Sequence, residues 1–161
     1  MRLGSTAFAM EGEIPRQYSG EGQDLAPPLY WSEVPEAAKS LVLIVDDPDA
    51  SDLVAPRPRP WVHWLLYELE PAAAGIEVAG GTLPPGAREG LNDWRRFGYD
   101  GPCSPAGRHR YFFRLYALDT RLSQLRRPDR AALEQAMAGH VLAQTELIGR
   151  YGSSPDGGEM D

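Results

Sequence analysis

The 161-residue sequence has one cysteine, one lysine and no long hydrophobic run. The single thiol, Cys103, excludes an internal disulfide and every zinc site built on paired cysteines. No apolar stretch approaches the ~20 residues that span a bilayer, and the first residues lack the apolar core of a signal peptide. We therefore expect a cytoplasmic protein without a transmembrane segment.

Positive charge is also scarce. The chain has 16 Lys and Arg against 23 Asp and Glu, which gives a net charge of −7. Non-specific binding to nucleic acid needs a surplus of positive charge, so we expect no nucleic-acid partner. The hydrophobic share of 42% is sufficient for one core.

Standard catalytic and nucleotide-binding motifs are missing as well. The sequence has no P-loop, no dinucleotide-binding glycine motif, no G-x-S-x-G nucleophile elbow and no H-E-x-x-H zinc motif. Any imidazole chemistry must therefore use the three histidines, His63, His109 and His140.

The 17 glycines and 15 prolines fall mainly between short apolar runs, which is typical of a protein made of strands and loops. Strands are predicted over residues 40–45, 61–69 and 108–118. Simple alternation places His63 on the same face as Trp61, Leu65 and Tyr67, and places His109 with Tyr111.

In the last third of the chain the apolar residues have a different spacing. Apolar residues three and four apart predict an amphipathic helix over residues 128–150, with His140 in its middle. We expect one domain over residues 1–151 and a flexible acidic tail over residues 152–161. The predicted class is mainly β with a C-terminal helix.

Three polar residues lie at the ends of the predicted strands. Asp47 follows the first strand, and His63 and His109 lie near the starts of the other two. If the first strand is antiparallel to both others, the three side chains meet at one rim of the sheet. A carboxylate beside two imidazoles favours their protonated forms, which can donate to a phosphate-like anion.

Neighbouring residues could complete such a site. Tyr111 adds a hydroxyl donor, Trp61 an apolar wall, and the backbone at Gly101-Pro102 an amide. Each residue also has a structural interpretation: Asp47 as a turn former, and the histidines and aromatic residues as core side chains. Cys103 is expected to be a buried, inert thiol.

An enzymatic alternative uses the same residues. Asp47, His63 and His109 have the composition of a two-histidine, one-carboxylate metal triad, although their spacing is not diagnostic. Elemental analysis would distinguish this metal-dependent enzyme from an anion-binding protein.

Four short segments carry a recognisable pattern. They are Asp46-Asp47-Pro48-Asp49-Ala50, Trp61-Val62-His63-Trp64, Gly101-Pro102-Cys103-Ser104-Pro105 and Gly107-Arg108-His109-Arg110-Tyr111. In this order and spacing they resemble the phosphatidylethanolamine-binding protein family, in its bacterial Raf-kinase-inhibitor-like branch. The resemblance covers roughly residues 5–151 and implies a large central β-sheet packed against a smaller antiparallel sheet, with helices near the C-terminus.

The resemblance also implies a function without catalysis or cofactor. Carried over by position, the ligand-binding residues are Asp47, Trp61, His63, Gly101, Pro102, His109 and Tyr111. The implied ligands are phosphate-like molecules or phospholipid head groups. The resemblance further implies a protein kinase or protease partner and a homodimer. It also implies a cis peptide bond at Arg59-Pro60. Ser104 and the Arg- and Pro-rich residues 52–60 depart from the family pattern.

Overall fold

The computed structural model describes residues 1–50, 60–77, 83–103 and 107–152. Within these ranges the chain forms nine strands, one α-helix and a short 3-10 helix at Arg16–Tyr18. The strands are β1 (Arg2–Gly4), β2 (Gly12–Glu13), β3 (Leu29–Ser32), β4 (Ser40–Asp47), β5 (Trp61–Leu69), β6 (Gly75–Ile76), β7 (Arg88–Glu89), β8 (Arg108–Leu118) and β9 (Val141–Gly152). The helix, α1, is Arg130–Met137. No helix in these ranges is long and apolar enough to cross a membrane.

The strands form two sheets. A six-stranded sheet has the order β2-β9-β8-β4-β5-β7, and a three-stranded sheet has the order β1-β3-β6. Strand β4 lies in the middle of the larger sheet and is antiparallel to both β5 and β8. The mainly β class with a smaller second sheet is therefore confirmed, and so is the pairing on which the convergence of Asp47, His63 and His109 depends.

Hydrophobic layers lie on both faces of β4, and all eight residues of this strand are buried. Leu41, Leu43 and Val45 pack in one core cluster together with residues of the three-stranded sheet, such as Trp31. Val42 and Ile44 belong to a second cluster with the helix residues Leu133 and Met137. Burial on two faces explains why the sequence of β4 is continuously apolar.

The prediction of a long C-terminal helix over residues 128–150 is wrong. Asp129 caps α1 by accepting a hydrogen bond from the Ala132 amide, but the helix ends at Met137, and Gly139 follows in the left-handed region at φ 82°. The next twelve residues form β9, which pairs with β8 along its length. The spacing of apolar residues there is compatible with a helix or a strand. The segment forms a strand because its backbone hydrogen-bonds to β8.

Two further expectations change with this correction. His140 lies between α1 and β9 rather than within a helix, and its Nδ1 contacts Asp119 Oδ1 at 2.7 Å. Strand β9 also includes Gly152, which pairs with Arg108 at the point where the tail is predicted to begin. Residues 153–161 lie outside the described ranges, so the flexible tail and the domain limit at residue 151 stay predictions.

Candidate functional site

Asp47 lies at the carboxyl end of β4, where the ladder places it opposite Trp61 of β5. Its side chain is only 3% exposed. One carboxylate oxygen contacts His109 Nδ1 at 2.6 Å, and the other accepts the Asp49 amide at 2.8 Å. Because a carboxylate only accepts, His109 donates through Nδ1. Asp47 thus both forms the turn and orients an imidazole.

His63 occupies a β-bulge in β5. Val45 pairs with Trp64 while the next residue, Asp46, pairs with Val62, so His63 is an extra residue on its strand. The bulge overturns the simple alternation: Leu65 and Tyr67 belong to the core cluster of α1. Bulges re-aim side chains next to functional sites, and this one turns His63 toward the rings of Tyr111 and Trp94.

Burial sets the charge of His63. The side chain is 4% exposed, and its Nδ1 donates to the carbonyl oxygen of Asp100 at 2.5 Å. Burial lowers the pKa of His63, while the Asp100 hydrogen bond and the nearby charge of Asp47 act in the opposite direction. The expectation that the carboxylate keeps both rings charged is therefore wrong for His63, because desolvation outweighs the carboxylate. The ring is neutral at neutral pH.

Tyr111 lies between the two histidines. Its ring meets His63 edge-on, with centroids 5.2 Å apart, and stacks on His109 at 6.3 Å. Burial raises the pKa of Tyr111 far above its usual value, so the hydroxyl keeps its proton. No hydrogen bond joins this hydroxyl to a described residue. It remains a donor for a group that enters the site.

Trp94 is a site residue that the sequence did not single out. Its ring lies edge-on to His63 at 4.8 Å and to Trp61 at 5.3 Å, so Trp94 contacts both the imidazole and the second indole. Trp94 lies in a long irregular stretch without periodicity, so pattern analysis gives no reason to choose it. A large aromatic residue in a Gly- and Pro-rich loop was the only available signal.

The Gly101-Pro102 segment borders the site differently from the prediction. The Gly101 amide donates to Asp24 Oδ1 at 2.8 Å, so it is engaged by the protein. A Cβ on Gly101 would lie close to the Tyr18 carbonyl oxygen, which explains the glycine. Pro102 has no amide proton, and its carbonyl accepts the Gly20 amide at 2.7 Å. Cys103 is exposed, which corrects the expectation of a buried thiol.

Arg110 points away from this group. Its backbone amide and guanidinium donate to the Asp49 carboxylate, at 2.9 Å in each case. The Arg110 hydrogen bond lowers the pKa of Asp49 despite some burial of that carboxyl. The pair fixes the chain just after Asp47.

The metal-triad alternative does not match the geometry. Among the described residues, no group of three His, Cys, Asp or Glu side chains is arranged to hold a metal ion. Asp47 uses both oxygens within the protein, and His63 directs Nδ1 at a carbonyl. The expectations about the Arg59-Pro60 bond, residues 52–59 and Ser104 fall outside the described residues.

Sequence and structure comparisons both find similar proteins that cover most of this chain. The model of the phosphatidylethanolamine-binding protein family matches residues 4–152. A UPF0098 protein of Methanothermobacter thermautotrophicus is 46% identical over 154 residues, covering 94% of this chain and 98% of its own. A crystal structure of a phosphatidylethanolamine-binding protein homologue from Chlamydia trachomatis superposes with a TM-score of 0.86 at 42% identity, covering 94% and 97% of the two chains. Escherichia coli YbcL gives a TM-score of 0.79 at 26% identity, with the same coverage.

Proposed function

Because this chain belongs to the phosphatidylethanolamine-binding protein family, we propose that it is a non-enzymatic binding protein whose sheet-rim site holds a phosphate-like anion. Asp47, His63, His109 and Tyr111 supply charge and hydrogen bonds. Trp61 and Trp94 form the aromatic wall, and Gly101-Pro102 closes one side through its backbone shape. Phosphate and the phosphoryl part of a lipid head group present the same tetrahedral oxyanion to these groups.

The observation that carries the proposal is the buried His63 in edge-on contact with the Tyr111 ring. With Nδ1 committed to Asp100, Nε2 is the nitrogen at which the neutral ring can gain a proton. An entering anion favours that protonation because it stabilises the imidazolium. The Tyr111 hydroxyl then donates to the same anion, and Asp47 holds His109 in position. Anion binding is therefore coupled to proton uptake.

We extend the proposal to regulation. A partner that carries a phosphoryl group could be held through this site, which would allow the cytoplasmic protein to inhibit or regulate a kinase or protease. The support is the family relationship together with the chemistry of the site, and a pull-down with Asp47→Ala protein tests it. A partner retained equally by wild-type and variant protein would show that the site is not used.

Sulfate binding measured against pH tests the coupling, because sulfate keeps its charge throughout the range. Between about pH 8 and pH 6 we expect the affinity to rise by up to about tenfold per pH unit for one coupled proton. His63→Gln removes this dependence. His140→Gln, which changes the histidine paired with Asp119, keeps it. An affinity that is independent of pH, or a slope that survives His63→Gln, contradicts the proposal.

A further inference from the structure

The loop Asn92–Gly98 is held rigidly beside the candidate site. Asn92 is buried, and its side-chain oxygen accepts the amides of Trp94 and Arg96, while its nitrogen donates to the Gly98 carbonyl and to Asp100. The backbone adds a Leu91–Phe97 bridge and a hydrogen bond from the Asp93 amide to Val62. Every hydrogen-bonding position of the Asn92 amide group is used, so the loop is preorganised.

This rigid loop exposes aromatic side chains. Trp94 is 36% exposed and Phe97 is 41% exposed. The Arg127 guanidinium lies over the Phe97 ring, 5.1 Å from its centroid. Arg95 and Arg127 both adopt left-handed backbone conformations, at φ 64° and φ 47°. Such conformations are costly for non-glycine residues and are maintained where surrounding structure or function requires them.

Several arginines lie next to these rings along the chain or in contact with them. Arg95, Arg126 and Arg127 are exposed, and in the described part of the chain no ion pair joins them to a carboxylate. Arg96 is different, because it forms two hydrogen bonds with Asp100. Three exposed arginines without an ion pair to a described carboxylate contrast with the net charge of −7 of the whole chain.

We infer that Trp94, Arg95, Phe97, Arg126 and Arg127, here called the aromatic–arginine patch, dock an acidic segment of a partner protein that carries an apolar side chain. Trp and Arg, together with Tyr, are enriched among the residues that dominate binding energy at protein interfaces. The arginines attract the carboxylates of the segment, and its apolar side chain packs on Phe97. A preorganised loop loses little entropy on binding.

Charge favours a protein segment over a membrane. A bilayer is an extended plane, so anionic lipids would also face the acidic remainder of this protein. A short segment contacts the patch alone. This inference goes beyond anion binding: Trp94 borders both regions, but Phe97, Arg126 and Arg127 are separate from the residues that would hold the anion.

Selection from a phage-displayed library of random peptides, with the full-length chain as the target, tests the patch. We expect enrichment of peptides that combine Asp or Glu with an aromatic or aliphatic residue. Synthetic copies of them should bind the double variant Phe97→Ala, Arg127→Glu at least about tenfold more weakly. The matched control Tyr30→Ala, Arg2→Glu changes an exposed aromatic residue and an exposed arginine on the three-stranded sheet and should leave binding unchanged.

Two further measurements separate the explanations. The patch variant should keep its sulfate affinity, and His63→Gln should keep peptide binding, so loss of the anion site and loss of the patch are distinguishable. Failure to enrich any peptide, enrichment of basic peptides, or equal binding by the patch variant overturns the inference. Co-sedimentation with phosphatidylglycerol vesicles that requires Phe97 and Arg127 also overturns it, in favour of a membrane surface.

Discussion

At the scale of single residues, Tyr111 and Tyr67 have similar burial but different hydroxyl environments. Both rings are 2% exposed, and both lie on central strands. The Tyr67 hydroxyl donates to the Leu125 carbonyl at 3.1 Å. The Tyr111 hydroxyl bonds to no described residue, and the ring that carries it contacts two histidines. Tyr111 therefore stabilises the fold through its ring, which leaves its hydroxyl available for a ligand.

This difference predicts that the same Tyr-to-Phe change affects sulfate binding at position 111 and folding stability at position 67. Tyr111→Phe should weaken sulfate binding by roughly tenfold or more, since a hydrogen bond to a charged group contributes about 1.5–3 kcal/mol. Its free energy of unfolding should change little. Tyr67→Phe should lower the free energy of unfolding by about 1 kcal/mol and leave sulfate affinity intact. Calorimetric titration and urea unfolding measure both quantities, and equal sulfate affinity in wild-type and Tyr111→Phe protein would exclude the hydroxyl as a ligand contact.

At the scale of elements, the bulge in β5 and the loop after β7 act together. The bulge inserts His63 between Val62 and Trp64. The loop then supplies Trp94 against His63, and Asp93 accepts the Val62 amide at 2.7 Å through its side chain. Neither element alone places the imidazole between aromatic rings. Their contact makes the wall of the site depend on the structure of the loop.

Asn92→Ala tests this dependence. The variant loses four side-chain hydrogen bonds, so we expect the free energy of unfolding to fall by about 2–4 kcal/mol. Trp94 should also become more accessible to a fluorescence quencher, and sulfate binding should weaken because the wall loosens. Asp129→Ala is the control, since it removes the cap of α1 at a cost of about 1 kcal/mol. Unchanged quenching in Asn92→Ala would show that the loop does not depend on this side chain.

At the scale of the whole molecule, β4 connects two different electrostatic environments. Its last two residues are consecutive carboxylates. Asp47 serves the candidate site with His109, whereas Asp46 accepts hydrogen bonds from Arg114 and Arg130 and so joins β8 and α1. The α1 layer and the candidate site are therefore attached to the same strand end, and the stability of one supports the geometry of the other.

The charge state of His63 makes the stability of the whole fold depend on pH. Burial lowers its pKa in the folded protein below the value of about 6.5 expected on unfolding. Between these two values the unfolded chain binds more protons, so the free energy of unfolding falls as the pH decreases through about 6.5. Urea unfolding at several pH values should show that the free energy of unfolding decreases less steeply with falling pH in His63→Gln than in wild-type protein. Saturating sulfate should reduce the fall in wild-type protein, and identical slopes for both proteins would contradict this assignment.

Much of the candidate site could be predicted from the sequence. The apolar run of β4 that ends at Asp47, and the positions of His63 and His109 at the starts of two other strands, indicated a shared rim once antiparallel pairing was assumed. Strand β8 also has the predicted alternation, with Tyr111, Phe113 and Leu115 in one core cluster. These features are local: strand length, alternation and position along a strand determine them.

Other features depended on the tertiary structure. Residues 141–152 carry a spacing compatible with helix or strand, and only pairing with β8 made them a strand. The bulge at His63 and the approach of Trp94 arise from register and loop packing, which a period of two does not encode. The charge of His63 was predicted incorrectly because the sequence shows the nearby carboxylate but not the burial that outweighs it. Strand positions read from the sequence indicated that Asp47, His63 and His109 share a rim. The packing around them set their direction and charge and added Trp94, because desolvation and register are properties of the assembled sheet.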